Sequence, residues 1–337
     1  NKAHELADKV WTIIENSAAY GFNSAHAYCM AIDSVTIAYL KAHYPLEFYK
    51  CVLQRFTDKG EKDKVALIKQ EMLKRGYKLK DIQFGDDNRS FNIDRANNCI
   101  VQTMASIKDM PKSAPEALYE LGKSDIKNRA ALYQALMDDP RINKKAIEIL
   151  FHLGYFNKFA QPNRLIAEYE IYQKYISVKV LTKSSFDDIM IDVIRPCCGK
   201  ETEKQFREID NKALITALIK QANIKPTTIV DRIKWQLEYL GYCTVNDPNS
   251  DPNDWLVLDV KTTGYGTVYI TGYNLCYGAE RTYRANKKFW TNHQLSKGDV
   301  IRAVLQEKNK MKKDENGEWV KLSETYQEMK VWKKLEV

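Results

Sequence analysis

The sequence predicts an α+β protein of several domains, helical in its first part and ending in a small β-barrel. Three observations carry that expectation. The chain has 337 residues, more than one domain usually holds. Its first quarter repeats apolar residues at helical spacing, whereas residues 251–337 hold five or six short runs rich in β-branched and aromatic side chains. Finally, Asn316-Gly317 lies between VIRAVLQEKNKMKK and EWVKL, and both residues accept the positive φ of a tight hairpin turn.

The first helix is expected over Ala3 to Ala18, with Leu6, Val10, Ile13 and Ile14 on one stripe. Ser24 suits the cap of a second helix running to about His43, whose apolar residues lie nearly all round and predict burial. Pro45 opens a third helix at a position where its missing N–H costs nothing. A fourth is expected from Glu61 to Arg75, stopped by Gly76. Short strands follow around Lys78–Phe84, Ser90–Ile93 and Cys99–Gln102, with Asp86-Asp87 and Asn97-Asn98 as turns. Helical patterns return from Ser113 to Tyr175 in pieces separated by Pro140 and Gly154. From Ile176 to about Asn249, the periodicity of Ile209, Ala213, Leu214 and Leu218 predicts a helical connector. The last strands are expected at Trp255–Val260, Thr267–Leu275, Glu280–Ala285, Asp299–Glu307, Trp319–Leu322 and Glu328–Leu335. So many short strands in so few residues predict a small barrel, of which the oligonucleotide-binding (OB) barrel is one common form.

Composition narrows the class. Hydrophobic residues at 44% and charged residues at 28% are ordinary for a globular domain. A net charge of +8 favours an anionic partner, since cations attract phosphate regardless of sequence. The seven cysteines are scattered, none forms a C-x-x-C pair, and no histidine lies near the adjacent Cys197 and Cys198. Free thiols in a reducing cytoplasm are therefore expected, rather than a disulfide framework or a zinc site. The longest apolar stretches are broken by Asp33 or Lys41, and NKAHELADKVW lacks a signal-peptide pattern, so no membrane partner is expected.

One stretch is more specific. YGFNSAHAYCMAIDSVTIAYLKAHYPLEF, from Tyr20 to Phe48, sets a polar and aromatic cluster at the head of an apolar helix. By residue type alone it is a helix start with a core tyrosine and a capping asparagine. It nevertheless resembles the end of the fingers in the family C bacterial replicative DNA polymerases, the DNA polymerase III alpha subunits. Their pattern runs roughly YGFNKSHA, a variable apolar helix, then YQTAYLKAHYPxEF. Tyr20 to Asn23, His26, Ala38 to Pro45, Glu47 and Phe48 match. The similarity continues through Asp63 to Gly76, the ASIK of Ala105 to Lys108, INKKAIEILFHLGYFNKF from Ile142 to Phe159, and LEYLGYCTVNDPN from Leu237.

The resemblance implies four regions: the C-terminal part of the fingers (1–78), a helix-hairpin-helix duplex-binding region (79–160), a helical connector (161–250) and an OB barrel (251–337). It implies that Tyr20, Asn23 and His26 face an incoming deoxynucleoside triphosphate. There Tyr20 would stack on a base or sugar, Asn23 would hydrogen-bond and His26 would reach a phosphate; Lys41 and His43 lie further along. Lys108, Lys112, Lys144 and Lys145 become candidate contacts to primer-template DNA. Two departures stand out. Ser24-Ala25 replaces the family's Lys-Ser before the histidine, removing a cation. After Lys108, Asp109-Met110-Pro111 replaces a Gly-hydrophobic-Gly hairpin that presents bare N–H groups to phosphate; proline has no N–H and aspartate repels phosphate.

Other parts of the family pattern are expected elsewhere. In family C polymerases two Mg2+ ions are held by palm carboxylates, and here that palm-containing remainder would lie outside the chain, so no catalytic residue and no metal ligand is expected within it. Asp187, Asp188 and Asp192 read as surface, and the Asp-Pro-Asn repeats around Asp247, Asp251 and Asp254 as turns. No clear sliding-clamp peptide occurs between Ala160 and Trp235. From Arg281 onward there are fourteen Lys or Arg against eight Asp or Glu, interleaved with Tyr283, Phe289 and Trp290. Cations attract backbone phosphates and exposed rings stack on unpaired bases, which makes Tyr283, Arg284 and Trp290 candidate DNA contacts. Of the three aromatics, Tyr283 is expected to face water and Trp290 to fill the core. The resulting reading is the C-terminal portion of a divergent polymerase, with phage and split-gene origins both compatible. It would contribute nucleotide and DNA contacts to replication without catalysing alone. The competing reading is a non-catalytic DNA-binding accessory protein that retained the same modules.

Overall fold

Two compact units form, Asn1–Ile82 with Asn88–Ser106 and Gln83–Asp87 with Ile107–Val337. In this computed structural model the described residues are 2–20, 24–264, 266–285, 295–313 and 318–335, without the side chains of 18–20, 24 and 332.

Unit 1 opens with α1 (Lys2–Tyr20), α2 (Ser24–His43), α3 (Pro45–Asp58) and α4 (Lys62–Lys74). Leu46, Tyr49 and Leu53 of α3 meet Val65 and Met72 of α4, and Phe91 and Ile100 complete this core. The last two flank or belong to a small sheet of β1 (Lys78–Lys80), β2 (Asn92–Asp94) and β3 (Cys99–Val101), ordered β1-β3-β2. Gly76 at φ 84° ends the α4 turn in a conformation that a side chain would strain.

The expected burial of α2 is not found. Tyr28, Ile32, Val35 and Ile37 are exposed, as are Leu6, Trp11 and Ile13 of α1. Apolar residues on all sides make a helix able to be buried, but burial needs a facing surface, and the described residues supply none. The end of α2 is anchored: the Lys41 ammonium lies 2.7 Å from Glu71 and 5.6 Å from the ring centroids of Phe48 and Tyr49. Deeper in the unit, Lys69 is 1% exposed. Its ammonium donates to Gln102 Oε1 at 2.8 Å and Ser106 Oγ at 2.9 Å, joining α4 to the segment after β3.

Unit 2 begins with four helices, α5 (Ala114–Gly122), α6 (Arg129–Asp138), α7 (Lys144–His152) and α8 (Pro162–Tyr175). Asn128 and Asn143 cap α6 and α7 by accepting from the third following N–H at 2.9 and 2.8 Å. Helices α6 and α8 are tied by the buried Glu168, which accepts from Arg129 at 2.6 Å, Arg164 at 2.7 Å and the Tyr133 hydroxyl at 3.0 Å. The stretch expected to be a helical connector contains a second sheet. β4 (Val180–Thr182), β5 (Cys198–Glu201) and β6 (Gln205–Ile209) pair in the order β4-β6-β5, with α9 (Asp188–Ile194) and α10 (Asn211–Gln221) around them. Strands of three to five residues bury few side chains; Leu181 and Phe206 are buried, so no alternating pattern stands out in the sequence. Then α11 (Ile229–Leu240) starts in a reciprocal Thr228–Asp231 capping box and ends at Gly241 in the left-handed conformation.

Five antiparallel and parallel strands close the barrel: β7 (Asp254–Thr262), β8 (Val268–Asn274), β9 (Ala279–Ala285), β10 (Val300–Lys313) and β11 (Trp319–Leu335). They run around the barrel as β7-β8-β9-β11-β10, closed by β10 on β7, and only β9 and β11 are parallel. Side-chain alternation places Trp255 and Val257 inside, with Ile270, Tyr283, Ile301 and Met329. Leu256 faces the other way, into a cluster with Val230 and Ile233 of α11. Both faces of β7 are therefore buried, which accounts for its unbroken apolar run. The two strands expected at Trp319–Leu322 and Glu328–Leu335 are one. The polar residues between them pair across the hairpin: Lys310 reaches Glu324 at 2.6 Å and Thr325 reaches Glu307 at 2.6 Å. The Asn316-Gly317 turn lies outside the described residues.

Candidate nucleic-acid interface

Two surfaces of unit 2 gather cations. The first surrounds the segment before α5. Asp109 has φ 60°, a left-handed geometry that glycine adopts freely and aspartate only with some strain. Its donors are largely spent or missing. The Lys108 N–H donates to the Tyr239 carbonyl at 3.0 Å, the Met110 N–H points back to Ile107 at 3.4 Å, and Pro111 has none. The main chain therefore does not offer a row of free N–H groups to a phosphate.

Side-chain cations remain. Lys108, Lys112, Lys144 and Lys145 are all exposed. Two contacts connect the hairpin with the start of α7: Ser113 Oγ donates to the Arg141 carbonyl at 3.0 Å, and the Lys145 ammonium sits 5.5 Å from the ring centroid of Tyr239, whose carbonyl holds Lys108. Lys145 also meets Glu148 at 3.3 Å, whereas Arg141 is held by Asp139 and Glu120, each at 2.7 Å. Lys144 and Lys145 stand at the N-terminus of α7, where the helix dipole adds to their positive field. His152 secures α7 to α11. Its ring stacks on Trp235 at 4.3 Å, and Nδ1 lies 3.3 Å from the Tyr239 hydroxyl. Burial holds the His152 imidazole below its ordinary pKa, favouring the neutral ring.

The second surface is a groove of about 870 Å³ between the β8–β9 face of the barrel and the β10–β11 hairpin. Arg284, Lys310, Tyr269, Tyr326 and Trp319 line it, and among the described lining residues there is no carboxylate. The Arg284 guanidinium stands 5.3 Å over the Tyr326 ring, and the Lys313 ammonium 5.6 Å from that of Trp319. Trp319 is 63% exposed.

The sequence-predicted residues distribute unevenly over these surfaces. Arg284 is exposed in the groove. Tyr283, expected to face water, is 8% exposed and lies edge-on to Trp255 in the barrel core. Successive strand residues face opposite sides, so Arg284 outside requires Tyr283 inside. Trp290, Asn23 and the side chain of Tyr20 lie outside the described residues. His26 is exposed in the first turn of α2. Tyr326, Trp319 and Tyr269 were missed. A signal was available for Tyr326, since Thr325, Gln327 and Glu324 around it mark a strand too polar to be core, leaving its ring to the surface.

Among the described residues no cluster of three or more His, Cys, Asp or Glu could hold a metal ion. The carboxylates of the Asp187–Asp192 stretch are used locally: Asp187 caps α9 through Met190 N at 2.8 Å, and Asp192 pairs with Arg195 at 2.6 Å. They do not fit a Mg2+ pair. The described cysteines are all free thiols, and none of the described helices is long and apolar enough to cross a membrane.

Two exposed cationic surfaces lie on a modular α+β scaffold, one of them with open aromatic rings. Comparison with known proteins makes the class particular. Over 166 residues the chain is 30% identical to the DNA polymerase III subunit alpha of Vibrio cholerae, covering 48% of this chain and 14% of that protein. The corresponding subunits of Campylobacter jejuni and Thermus aquaticus are 28% and 29% identical over 155 and 173 residues. No protein-family model matches. The chain is a divergent, partial relative of the DNA polymerase III alpha subunit, spanning 13–14% of the length of these relatives.

Proposed function

We propose that the chain supplies nucleotide and DNA contacts to template-directed DNA synthesis by a polymerase III alpha-like enzyme whose catalytic carboxylates and Mg2+ lie outside it. The observation that carries this reading is the 28–30% identity to DNA polymerase III alpha subunits over nearly half the chain. The cation-rich faces of unit 2 support it. In this reading Tyr20, Asn23 and His26 meet the incoming deoxynucleotide. Lys108, Lys112, Lys144 and Lys145 contact duplex phosphates through side chains, compensating for a segment in which the Lys108 and Met110 N–H groups are engaged and Pro111 has none.

The barrel is read as an OB fold. Counting its strands one to five, the order is 1-2-3-5-4 with closure of 4 on 1, and the parallel 3–5 pair agrees with the Greek-key arrangement of that fold. Its expected ligand is unpaired nucleic acid. The exposed apolar residues of α1 and α2, including Leu6, Trp11, Val35 and Ile37, are then the surface that packs on the palm-containing remainder.

Primer extension tests the proposal. With Mg2+ and all four deoxynucleoside triphosphates the isolated chain should extend no primer, and addition of a palm-containing polymerase piece should restore synthesis. His26→Ala should then raise KM for deoxynucleotide more than it weakens primer-template binding. Sustained synthesis by the isolated chain, or a reconstituted KM unmoved by His26→Ala, overturns the assignment.

A further inference from the structure

We propose that Tyr239 of α11 is a positioning residue for duplex binding, whose ring holds the Lys145 ammonium in place for a phosphate. The inference rests on the reading of Lys145 as a duplex contact and names the group that aims it.

Helix geometry places each contact. Tyr239 lies in the last turn of α11, where carbonyls lack an intrahelical donor, so its carbonyl can accept the Lys108 N–H at 3.0 Å. One residue thus touches two cation-bearing segments, Lys108 through its main chain and Lys145 through its ring. Trp235 and Tyr239 are four residues apart and stand on one face of α11. The His152 ring runs nearly parallel to both, with centroids 4.3 Å from Trp235 and 5.8 Å from Tyr239 at interplanar angles of 18° and 14°. The Tyr239 hydroxyl lies 3.3 Å from His152 Nδ1. On α7, Lys145 and His152 are seven residues apart and share a face, so the histidine that steadies the tyrosine follows the lysine that uses it. Tyr239 is buried and Lys145 exposed, which leaves a fixed ring beneath a cation open to water.

A ring fixes a cation differently from a carboxylate. Asp139 and Glu120 hold Arg141 at 2.7 Å each and cancel its charge. An aromatic face attracts an ammonium through its quadrupole and leaves the net charge unchanged. Lys145 also meets Glu148 at 3.3 Å, but both side chains are solvent-exposed and such pairs are weak. The ring therefore restrains the ammonium while its charge stays available to a phosphate.

The test uses the full chain and a blunt, fluorescein-labelled DNA duplex, read by anisotropy at low salt. Lys145→Gln should weaken binding and lower the slope of log affinity against log salt by about one. Tyr239→Leu should weaken binding about 2- to 5-fold, the range for one cation–ring contact at an exposed site. Leucine also underfills a buried position, so two variants of nearly constant shape accompany it. Tyr239→Phe keeps the ring face and should bind like the parent. Tyr239→trifluorophenylalanine keeps the shape but depletes the quadrupole, and should bind like Tyr239→Leu. In the Lys145→Gln background none of the three should weaken binding further. Equal affinity in the phenylalanine and trifluorophenylalanine chains overturns the proposal, as does a Tyr239→Leu loss that persists after Lys145→Gln. Unchanged duplex affinity in Lys145→Gln overturns the reading of Lys145 as a phosphate contact and the proposal with it. A loss in Lys145→Gln with no response to the Tyr239 changes overturns the proposal alone.

Discussion

Lys69 offers a test of the unit 1 core that depends on pH. The side chain is 1% exposed, and its ammonium donates to Gln102 and Ser106. Burial pulls its pKa from the ordinary 10.5 down to about 7, with the Asp81 carboxylate opposing the fall. Below pH 7 both folded and unfolded chains carry the proton, and the folded state bears the whole cost of the buried charge. Between pH 7 and 10.5 the unfolded chain binds one proton more, so stability rises with pH by ~1.4 kcal/mol per pH unit, to a total of order 5 kcal/mol. Lys69→Met removes that rise. It also deprives Gln102 and Ser106 of a donor, at about 1–3 kcal/mol each. The two proteins should thus be closer in stability at pH 7 than at pH 10, where the parent is the more stable. Cys99 reports on the unit because it is 5% exposed while Cys29 and Cys51 are open to reagent. Urea titrations at pH 7, 8, 9 and 10, followed by pulse alkylation and mass spectrometry of the Cys99 peptide, give the midpoints. Parallel pH dependence in parent and Lys69→Met would refute the reasoning.

Three further outcomes are expected. Glu168→Ala should destabilise unit 2 by about 3 kcal/mol, the low end for a broken buried pair because Arg129 and Arg164 reach water, and the urea midpoint measures it. Tyr283→Ala should cost about 3–5 kcal/mol of barrel stability, whereas Tyr283→Phe leaves oligothymidylate affinity intact, and paired melting and anisotropy separate these effects. The double change Lys144→Gln, Lys145→Gln should lower the slope of log duplex affinity against log salt by about 2, one for each lost phosphate contact.

The helices of unit 1 could be read from sequence because their apolar spacing, Pro45 and Gly76 all act within a few residues. The same holds for the barrel strands, whose alternation is local. Burial of α2 could not be read, since a helix records its capacity to be covered and not the presence of a cover. The small β4-β6-β5 sheet was hidden for a different reason: its strands are too short to display a period, and it is assembled by pairing between segments. The groove was half legible. Arg284 and the cationic tail are visible in composition, but the inward Tyr283 and the groove-lining Tyr326 follow from registers that only pairing partners determine. The hairpin before α5 shows the limit of motif comparison. Asp109 takes a left-handed φ that glycine would adopt freely, while the Lys108 N–H is taken by the Tyr239 carbonyl, more than a hundred residues away.

Barrel closure places a demand on how the chain is made. The seam between β9 and β11 joins Arg284 and Ala285 to Glu328 and Met329, and β10 must also reach back to β7. During synthesis, β7, β8 and β9 leave the ribosome as an open three-stranded meander with Trp255 and Ile270 on a face that has no lid. They acquire one only when β11 has emerged, so the barrel cannot condense progressively and must snap shut late, over contacts distant in sequence. Loss of residues 328–335 would open the β9 seam and strip β10 of its inner partner together, leaving two bare edges where the intact barrel has neither.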